Sequence, residues 1–429
     1  MMSKRLSGVK ACLAVCGLLA CAAACLGESW PRFRGPNGAG ISGDRDVPVQ
    51  WTNKDGVLWR TELAGIGNSS PIVWGNRIFL ESASADGKER LLLCLNTADG
   101  KAVWSRSVHG VRANMHNKNS YASSTPATDG QRVYAVFWDG SDILVYAYDF
   151  DGNLLWKHGL GEFRSQHGVG ASPLVYRDKV YLMNDQDGAA EIVALNARTG
   201  EEVWKVARPP FRACYSTPFL LEKDGKEAEL IVASTAGISS YRPDTGAANW
   251  NYDWTFDGMP LRTVASAVAS PGFIFANSGD GSGARHTIAI KLEDGSAGPK
   301  PNLAWQEKKA FPYVPCILAY GDHLYYVNDK GMASCHVAAT GEEIWNERLG
   351  GDVSASPILI DGKIYAVNET GTVYVFAAAP TFKLLARNKL GDKEKVLATP
   401  AVADNRLYIR GARSLYCIGK AQEKQAGGR

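Results

Sequence analysis

The cysteines of this sequence form no pair or cluster that would hold a metal or a haem. The chain has 429 residues and nine cysteines, but no CxxC, no CxxCH and no adjacent cysteine pair. Four cysteines lie within residues 1–27, and five remain. Thiolate metal sites and c-type haem attachment need closely spaced cysteines, so the sequence excludes both. We expect free thiols at Cys94, Cys214, Cys316, Cys335 and Cys417, and all of these except Cys214 occupy positions of small buried residues in the repeat.

Net charge and the common catalytic motifs are also missing. The chain has 47 Lys and Arg against 44 Asp and Glu, and residues 1–27 hold three basic residues and no acid, so the remainder is neutral. Bulk charge therefore gives no support for a nucleic-acid partner. There is no GxSxG, HExxH or phosphate-binding glycine loop. The sequence predicts no catalytic residue set and no metal site.

The N-terminus has the pattern of a secretory signal. Residues 1–10 are basic, residues 11–25 are apolar, and polar residues follow from Gly27. The apolar run is too short for a stable membrane anchor. Residues 18–21, Leu-Leu-Ala-Cys, resemble a bacterial lipobox, in which Cys21 would be lipidated; ordinary cleavage near residues 25–27 is the other route. We expect an exported protein, either periplasmic or anchored to the membrane through Cys21.

One short unit returns along the whole chain. Residues 192–204 read IVALNARTGEEVW, and near versions occur at 92–104, 239–250 and 334–345. Around the first of these, alternating apolar residues separated by turn residues predict a four-stranded antiparallel meander. Its four predicted strands are 172–175, 179–183, 191–195 and 202–205.

Two recurring residue positions, one at the start and one at the end of each unit, give the number of units. Each unit begins with a Ser or Thr, usually before a Pro, except that one has a Cys there: Ser70, Thr125, Ser172, Thr217, Ser266, Cys316, Ser356 and Thr399. Most units end in a Trp, with a Leu in the seventh: Trp104, Trp156, Trp204, Trp250, Trp305, Trp345 and Leu385. The sequence therefore contains eight units. A large ring at one place in every sheet is expected to pack between neighbouring sheets.

The eighth unit lacks a fourth strand of its own. It ends at residues 414–418, while an unused strand, 57–60, precedes the first unit. Pairing the two would close a ring and remove the exposed sheet edges, whereas an open solenoid would need caps. We predict an all-β, eight-bladed β-propeller of four-stranded antiparallel blades, closed by the N-terminal strand. The predicted segments are a signal peptide (1–27), an N-terminal extension (28–50), the propeller (51–418) and a disordered tail (419–429).

The repeat resembles a known family. ALNARTGEEVW, residues 194–204, is similar to the pyrroloquinoline-quinone-like (PQQ-like) propeller repeat A-L-x-x-x-T-G-x-x-x-W, and the resemblance extends from Val57 to Ile418. It implies the propeller fold and two functional groups. One group is the quinoprotein dehydrogenases, which oxidise alcohols or sugars; the other is the propeller lipoprotein of the outer-membrane β-barrel assembly machinery, a non-enzymatic scaffold. Residues 30–42, WPRFRGPNGAGIS, resemble the start of a group of exported bacterial proteins with this repeat.

The sequence departs from the dehydrogenase pattern. The resemblance implies that such an enzyme holds its quinone between a Trp and an adjacent-cysteine disulfide, beside Ca²⁺; this chain has no such pair and lacks long insertions. The acidic stretches 184–188 and 277–281 could offer oxygen ligands to Ca²⁺, but they lack EF-hand spacing and fall where hairpins must turn. We predict a non-enzymatic binding or scaffold protein without a cofactor. The alternative is a dehydrogenase that uses PQQ and Ca²⁺.

The loops between consecutive blades carry the candidate binding residues. In a propeller these loops gather at one mouth of the channel, and here they are long, basic and aromatic. The candidates are Arg112, His116, Asn119, Tyr121, Arg164, Gln166, His167, Arg212, Tyr215, Arg262 and Tyr313. Arg beside aromatic faces suits an anionic or carbohydrate-like ligand, or an acidic protein segment. The alternative is that these are ordinary solvated loops. We expect a monomer whose membrane contact would come only through lipid on Cys21.

Overall fold

The computed structural model describes residues 29–52, 55–222, 225–295, 298–308, 311–391 and 394–420. The predicted signal peptide and nearly all of the predicted tail lie outside these ranges. Strands dominate the described residues, and the helices found there are two short 3₁₀ turns, Pro36–Gly38 and Phe256–Gly258. Within this part of the chain, no helix has the length and apolar character needed to cross a membrane.

Eight separate antiparallel sheets follow one another along the chain. Two strands precede the first blade: β1 (Ile41–Ser42) and β2 (Val57–Glu62). Blades 1 to 4 consist of β3 (Ile72–Trp74), β4 (Arg77–Ala83), β5 (Glu89–Asn96), β6 (Ala102–His109); β7 (Ala127–Thr128), β8 (Arg132–Trp138), β9 (Asp142–Asp149), β10 (Leu154–Glu162); β11 (Leu174–Tyr176), β12 (Lys179–Asn184), β13 (Glu191–Asn196), β14 (Glu202–Ala207); and β15 (Phe219–Leu221), β16 (Glu229–Ser234), β17 (Gly237–Tyr241), β18 (Ala248–Tyr252).

The second half of the ring repeats this arrangement. Blades 5 to 8 consist of β19 (Val268–Ser270), β20 (Phe273–Gly279), β21 (Arg285–Gly295), β22 (Gly298–Glu307); β23 (Leu318–Tyr320), β24 (His323–Val327), β25 (Met332–Val337), β26 (Glu343–Arg348); β27 (Ile358–Ile360), β28 (Lys363–Val367), β29 (Thr372–Ala377), β30 (Leu384–Lys389); and β31 (Ala401–Ala403), β32 (Arg406–Arg410), β33 (Ser414–Ile418), with β2. The short first strand of each blade is innermost and mostly buried. In the fourth strand, exposed side chains alternate with less exposed ones. The eight-bladed prediction is confirmed.

The predicted closure is also confirmed. β2 lies antiparallel to β33, with Val57 opposite Ile418 and Glu62 opposite Ser414. The eighth blade therefore combines the first propeller strand of the chain with its last three, in the order β2-β33-β32-β31. Because β2 and β33 are hydrogen-bonded to each other, no unpaired sheet edge remains where the two ends of the ring meet.

The repeated Thr-Gly and Trp belong to one contact between neighbouring blades. Trp156, at the outer strand of blade 2, donates its indole N–H to the carbonyl of Ala197 in blade 3 at 3.0 Å. Its ring covers Gly200, where an added Cβ would lie 2.5 Å from the indole and where φ is +75°. Glycine is needed for both reasons, the close approach and the positive φ.

The same contact recurs at most joints around the ring, except that Trp250 donates its indole N–H to Glu229 of its own blade at 2.8 Å. The other Trp–Gly pairs are Trp59–Gly100, Trp104–Gly152, Trp204–Gly246 and Trp305–Gly341, and the indoles of these four donate to Thr97, Phe150, Pro243 and Ala338. Trp345 donates likewise to Ala379. The repeated unit in the sequence is therefore the joint between blades.

A second ring of contacts lies near the axis. The N–H of Ser70 donates to Thr125 Oγ1 at 3.0 Å, and the N–H of Thr125 donates to Ser172 Oγ at 2.9 Å. The pattern continues from Thr217 to Ser266, Ser266 to Cys316, Cys316 to Ser356, Ser356 to Thr399 and Thr399 to Ser70. In seven of the eight units the opening side chain accepts a backbone hydrogen bond from the previous blade, through a hydroxyl in six of them and through the Cys316 thiol in blade 6. Among the described residues no such bond to Thr217 is found.

The N-terminal extension is part of the propeller, which its sequence did not predict. The N-terminal segment (residues 30–44) pairs with the inner strands: Trp30 exchanges backbone hydrogen bonds with Val73, and β1 lies parallel to β27 as a fifth strand of blade 7. Asp44 Oδ1 then accepts the N–H of Asn405, in the turn after β31. The segment thus crosses the channel at the end where inner strands turn into second strands, opposite the mouth.

The Trp–Gly contact gives a stability prediction. We expect Gly200→Ala to lower the free energy of unfolding by about 3 kcal/mol, because the methyl group would collide with Trp156 in a backbone conformation that alanine avoids. Gly272→Ala is the matched control: φ is +83° there, but nothing lies within 4 Å of the added Cβ. It should cost only about 1–2 kcal/mol. Urea titrations of both variants measure the difference, and equal losses would contradict a role for the Trp contact.

Candidate functional site

Five long loops meet at the mouth, each joining the fourth strand of one blade to the first strand of the next. They comprise residues 110–126, 163–173, 208–218, 253–267 and 308–317. Six predicted residues come together there, one or two from each loop. This group, called the mouth cluster below, is His116, His167, Arg212, Tyr215, Arg262 and Tyr313.

His167 links the cluster. Its ring stacks on His116, with centroids 4.9 Å apart and planes 16° from parallel. On the other side, Arg262 Nη1 lies 2.8 Å from His167 Nδ1 and 3.1 Å from Nε2. Since a guanidinium can only donate, at least one ring nitrogen must be unprotonated.

Electrostatics agrees with a neutral His167. Burial, followed by the positive charge of Arg262, lowers its pKa to about 4, with smaller effects from His116 and Arg212. Asp187 acts weakly in the opposite sense. The imidazole is therefore neutral at pH 7 and available as a hydrogen-bond acceptor.

The two arginines of the cluster have no carboxylate partner. Arg262 is buried, its backbone pairs with Gly279, and its Nε has no hydrogen-bond partner. Arg212 Nη1 donates to the carbonyl of Pro260, a neutral acceptor. Across the described residues, neither side chain forms an ion pair, whereas Arg208 nearby is paired with Asp185 at 2.8 Å. The mouth therefore holds two uncompensated positive charges.

The tyrosines flank these charges. Tyr215 Oη lies 2.8 Å from Ser165 Oγ, and burial raises the pKa of Tyr215 to about 12. Burial also raises the pKa of Tyr313, opposed in part by Arg262. Both phenols keep their protons at neutral pH. They can donate hydrogen bonds to an anion as well as offer ring faces.

Two predicted residues support the cluster from behind. Asn119 donates its amide to the carbonyls of His167 at 2.5 Å and Val169 at 3.2 Å. The Tyr121 hydroxyl bonds Ala113 and its ring lies 4.1 Å from the Arg90 guanidinium. These contacts fix the loop that carries His116.

In the described part of the chain, no hydrogen bond, ion pair or ring contact joins the side chains of the other three predicted residues to the cluster. Arg112 and Gln166 are exposed. Arg164 pairs with Glu162 on its own blade at 2.7 Å, and both side chains are exposed. The expectation that Arg164 would join His167 and Arg212 is not met, because an acid two residues away already neutralises its charge.

Sequence reasoning missed two features of the mouth. Lys118 forms a 2.7 Å ion pair with Glu369, which joins the first long loop to blade 7. Phe211, beside Arg212, is 52% exposed and makes an edge contact with Phe256. A charged residue in a distant turn and one Phe in a loop carry no periodic signal, so neither could have been singled out.

The acidic stretches function as turns. Asp185 is bound by Arg208, Asp187 Oδ1 accepts the N–H of Ala213 at 2.7 Å, and Asp280 Oδ1 accepts N–H groups within its own turn. Within the described ranges, no group of three or more His, Cys, Asp or Glu side chains is placed to hold a metal ion.

The pKa of His167 can be tested directly. NMR titration should give a value near 4, and Arg262→Met should raise it without restoring 6.5, because burial is the larger cause. Between pH 6.5 and 4 the unfolded chain binds more protons at this site than the folded chain, so stability should fall as the pH falls through that window. His167→Gln should weaken this pH dependence. Arg164→Met is the control, and an equal pKa change in that variant would contradict the assignment.

Comparisons with known proteins identify the family and the fold of this chain. The family described as outer membrane protein assembly factor BamB matches residues 40–143, 141–308 and 315–384. BamB of Bordetella pertussis is 23% identical over 390 residues, covering 87% of this chain and 91% of the relative.

Solved structures show the fold alone at these identities. BamB from Moraxella catarrhalis has a TM-score of 0.59 at 16% identity, covering 85% of this chain and 98% of that one. Quinohemoprotein alcohol dehydrogenase from Comamonas testosteroni has a TM-score of 0.62 at 13% identity, covering 94% and 82%. The structural likeness therefore does not separate scaffold from enzyme. The family match spans more than half of the sequence, and the chain belongs to the BamB family of PQQ-like propellers.

Proposed function

We propose that this protein is an exported, non-enzymatic scaffold of the cell envelope that acts in outer membrane protein assembly, with the mouth cluster binding an acidic segment of a partner protein. The observation that carries the binding site is the pair of guanidiniums, Arg212 and Arg262, without a carboxylate partner. The family and the name of the Bordetella relative support the assembly role.

The chemistry of the mouth favours a carboxylate. A guanidinium offers several N–H donors in a fixed plane that matches a carboxylate, and a buried donor without a partner, such as Arg262 Nε, is unfavourable. A carboxylate at this position would supply both the acceptor and the missing negative charge. Tyr215 and Tyr313 would add hydrogen bonds beside it.

An exposed aromatic favours a protein over a small anion. Phe211 lies next to Arg212 and presents about half of its surface to solvent. Exposed aromatics beside arginine are typical of the residues that dominate protein interfaces. A peptide with acidic and apolar residues would use both features, whereas an inorganic anion would use only the arginines.

We further propose that the protein uses no quinone cofactor. The resemblance to dehydrogenases implies a roof made of a disulfide between adjacent cysteines, but the five cysteines of the described residues are buried and unpaired, and no two of them are adjacent in sequence. The acidic turn residues that could bind Ca²⁺ are held by Arg208 and by backbone N–H groups. The residues present therefore do not fit the quinone and its metal.

Binding at the mouth can be measured with a labelled acidic peptide. We expect hexaglutamate to bind with an affinity that weakens as salt is added, since exposed charges are screened. The double variant Arg212→Ala, Arg262→Met should weaken binding at least about tenfold, or about 1.4 kcal/mol. Arg164→Ala is the matched control, because it removes a mouth arginine that is already paired with Glu162.

Fluorescence anisotropy gives these affinities, and circular dichroism checks that each variant is folded. Equal binding by wild type and double variant would contradict the site. Binding of a neutral oligosaccharide that competes with the peptide would instead indicate a carbohydrate ligand.

The alternative activity has its own test. Purified protein supplied with PQQ and Ca²⁺ should not reduce a dye in the presence of alcohols or sugars, because the chain lacks the disulfide that would cover the quinone. A known quinoprotein serves as the positive control. Substrate-dependent dye reduction that a chelator abolishes would overturn the non-enzymatic proposal.

A further inference from the structure

Two arginines of the N-terminal segment are buried inside the channel. Arg32 is 5% exposed and Arg34 is fully buried. Arg32 Nη2 donates to the carbonyl of Pro218 in blade 4 at 2.9 Å. Arg34 Nη2 donates to the carbonyl of Ile317 in blade 6 at 2.9 Å. The segment therefore places two positive charges between blades on opposite sides of blade 5.

The two guanidiniums approach the same residue. Arg34 Nε donates to the carbonyl of Gly38 at 3.2 Å, and a Cβ added to Gly38 would lie 2.4 Å from Arg32 Nη2. Gly40 leaves similar room for Arg34, with Nη2 at 2.6 Å from an added Cβ. Gly38 and Gly40 thus make the space that lets both side chains fold back onto the segment.

Neither charge is neutralised by the protein. The acceptors that Arg32 and Arg34 do have are backbone carbonyls, and no ion pair to either is found in the described part of the chain. Three buried nitrogens remain without any partner: Arg32 Nε, Arg32 Nη1 and Arg34 Nη1. Burial alone lowers the pKa of Arg32, to about 9, so the side chain is still charged at neutral pH.

A buried charge without a counter-charge is among the most unfavourable features a fold can contain. The segment also holds an unfavourable backbone: Arg34 has φ of +62° and Asn37 has φ of +53°. Such conformations persist only where surrounding contacts determine them. Here Asn37 exchanges two hydrogen bonds with Leu220, at 2.8 and 3.0 Å, which anchors the turn to blade 4.

We propose that Arg32 and Arg34 form a buried binding site for a small inorganic anion, which accepts hydrogen bonds from the guanidiniums, offsets their positive charge and holds the N-terminal segment across the channel. The free N–H groups supply the donors. The enclosure by inner strands favours an ion of few atoms over an organic ligand. This site contains none of the residues of the mouth cluster, although its acceptors Pro218 and Ile317 are the last residues of two mouth loops.

The test is the thermal stability of wild-type protein as chloride or phosphate replaces gluconate at constant potassium. Raising chloride or phosphate from 5 to 500 mM should raise Tm by about 2–5 °C, because a ligand that binds only the folded state stabilises it. Arg32→Gln should abolish this response, while Arg164→Gln should keep it. The variant comparison is needed because phosphate also stabilises proteins without binding.

A measurement on wild-type protein covers the case in which Arg32→Gln does not fold. Crystals soaked in bromide should show anomalous density within hydrogen-bonding distance of Arg32 Nη1 and Arg34 Nη1. The anion whose addition raises Tm identifies the occupant. Equal Tm changes in wild type and Arg32→Gln, or bromide density absent from this position, would overturn the proposal.

Discussion

The propeller depends on the packing of one indole against the next blade. Trp156 needs a residue without a side chain beneath it and a carbonyl in front of its N–H, and Gly200 and Ala197 meet both needs. This contact recurs at most joints of the ring. It sets the spacing between neighbouring sheets, which are not joined to each other by strand pairing. A β-sheet is stable only when its apolar faces are covered, so each blade needs a neighbouring blade packed against each face.

The rigid ring determines what the loops can do. Because the blades are joined at the outside by indoles and near the axis by the Ser, Thr and Cys hydrogen bonds, the ends of the inner strands are fixed in space. Loops far apart in sequence then meet at the mouth, which brings His167 beside Arg262. The six residues of this site come from five loops, and its two positive charges, Arg212 and Arg262, come from two of them.

The sequence predicted what repeats and missed what occurs once. Blade number, strand order and closure followed from the recurring Trp and Ser/Thr, since each blade must satisfy the same packing. The loops predicted six of the cluster residues because position alone brings them to the mouth. Arg164 was misplaced, since pairing with Glu162 is a local event that no repeat encodes. The path of residues 30–44 was missed for the same reason: its partners Val73, Ile317 and Asn405 are scattered along the chain.

The closure of the ring also constrains how the chain can fold. β2, which precedes the first blade in sequence, pairs with β33, the last strand described. Asp44 and Asn405, joined by a hydrogen bond, are 361 residues apart. Contacts of such separation form slowly, and until they form β2 and the free edge of β33 present unpaired backbone groups to other chains. During folding β2 must therefore remain unpaired until the last blade has formed, and in this interval the protein is most vulnerable to aggregation.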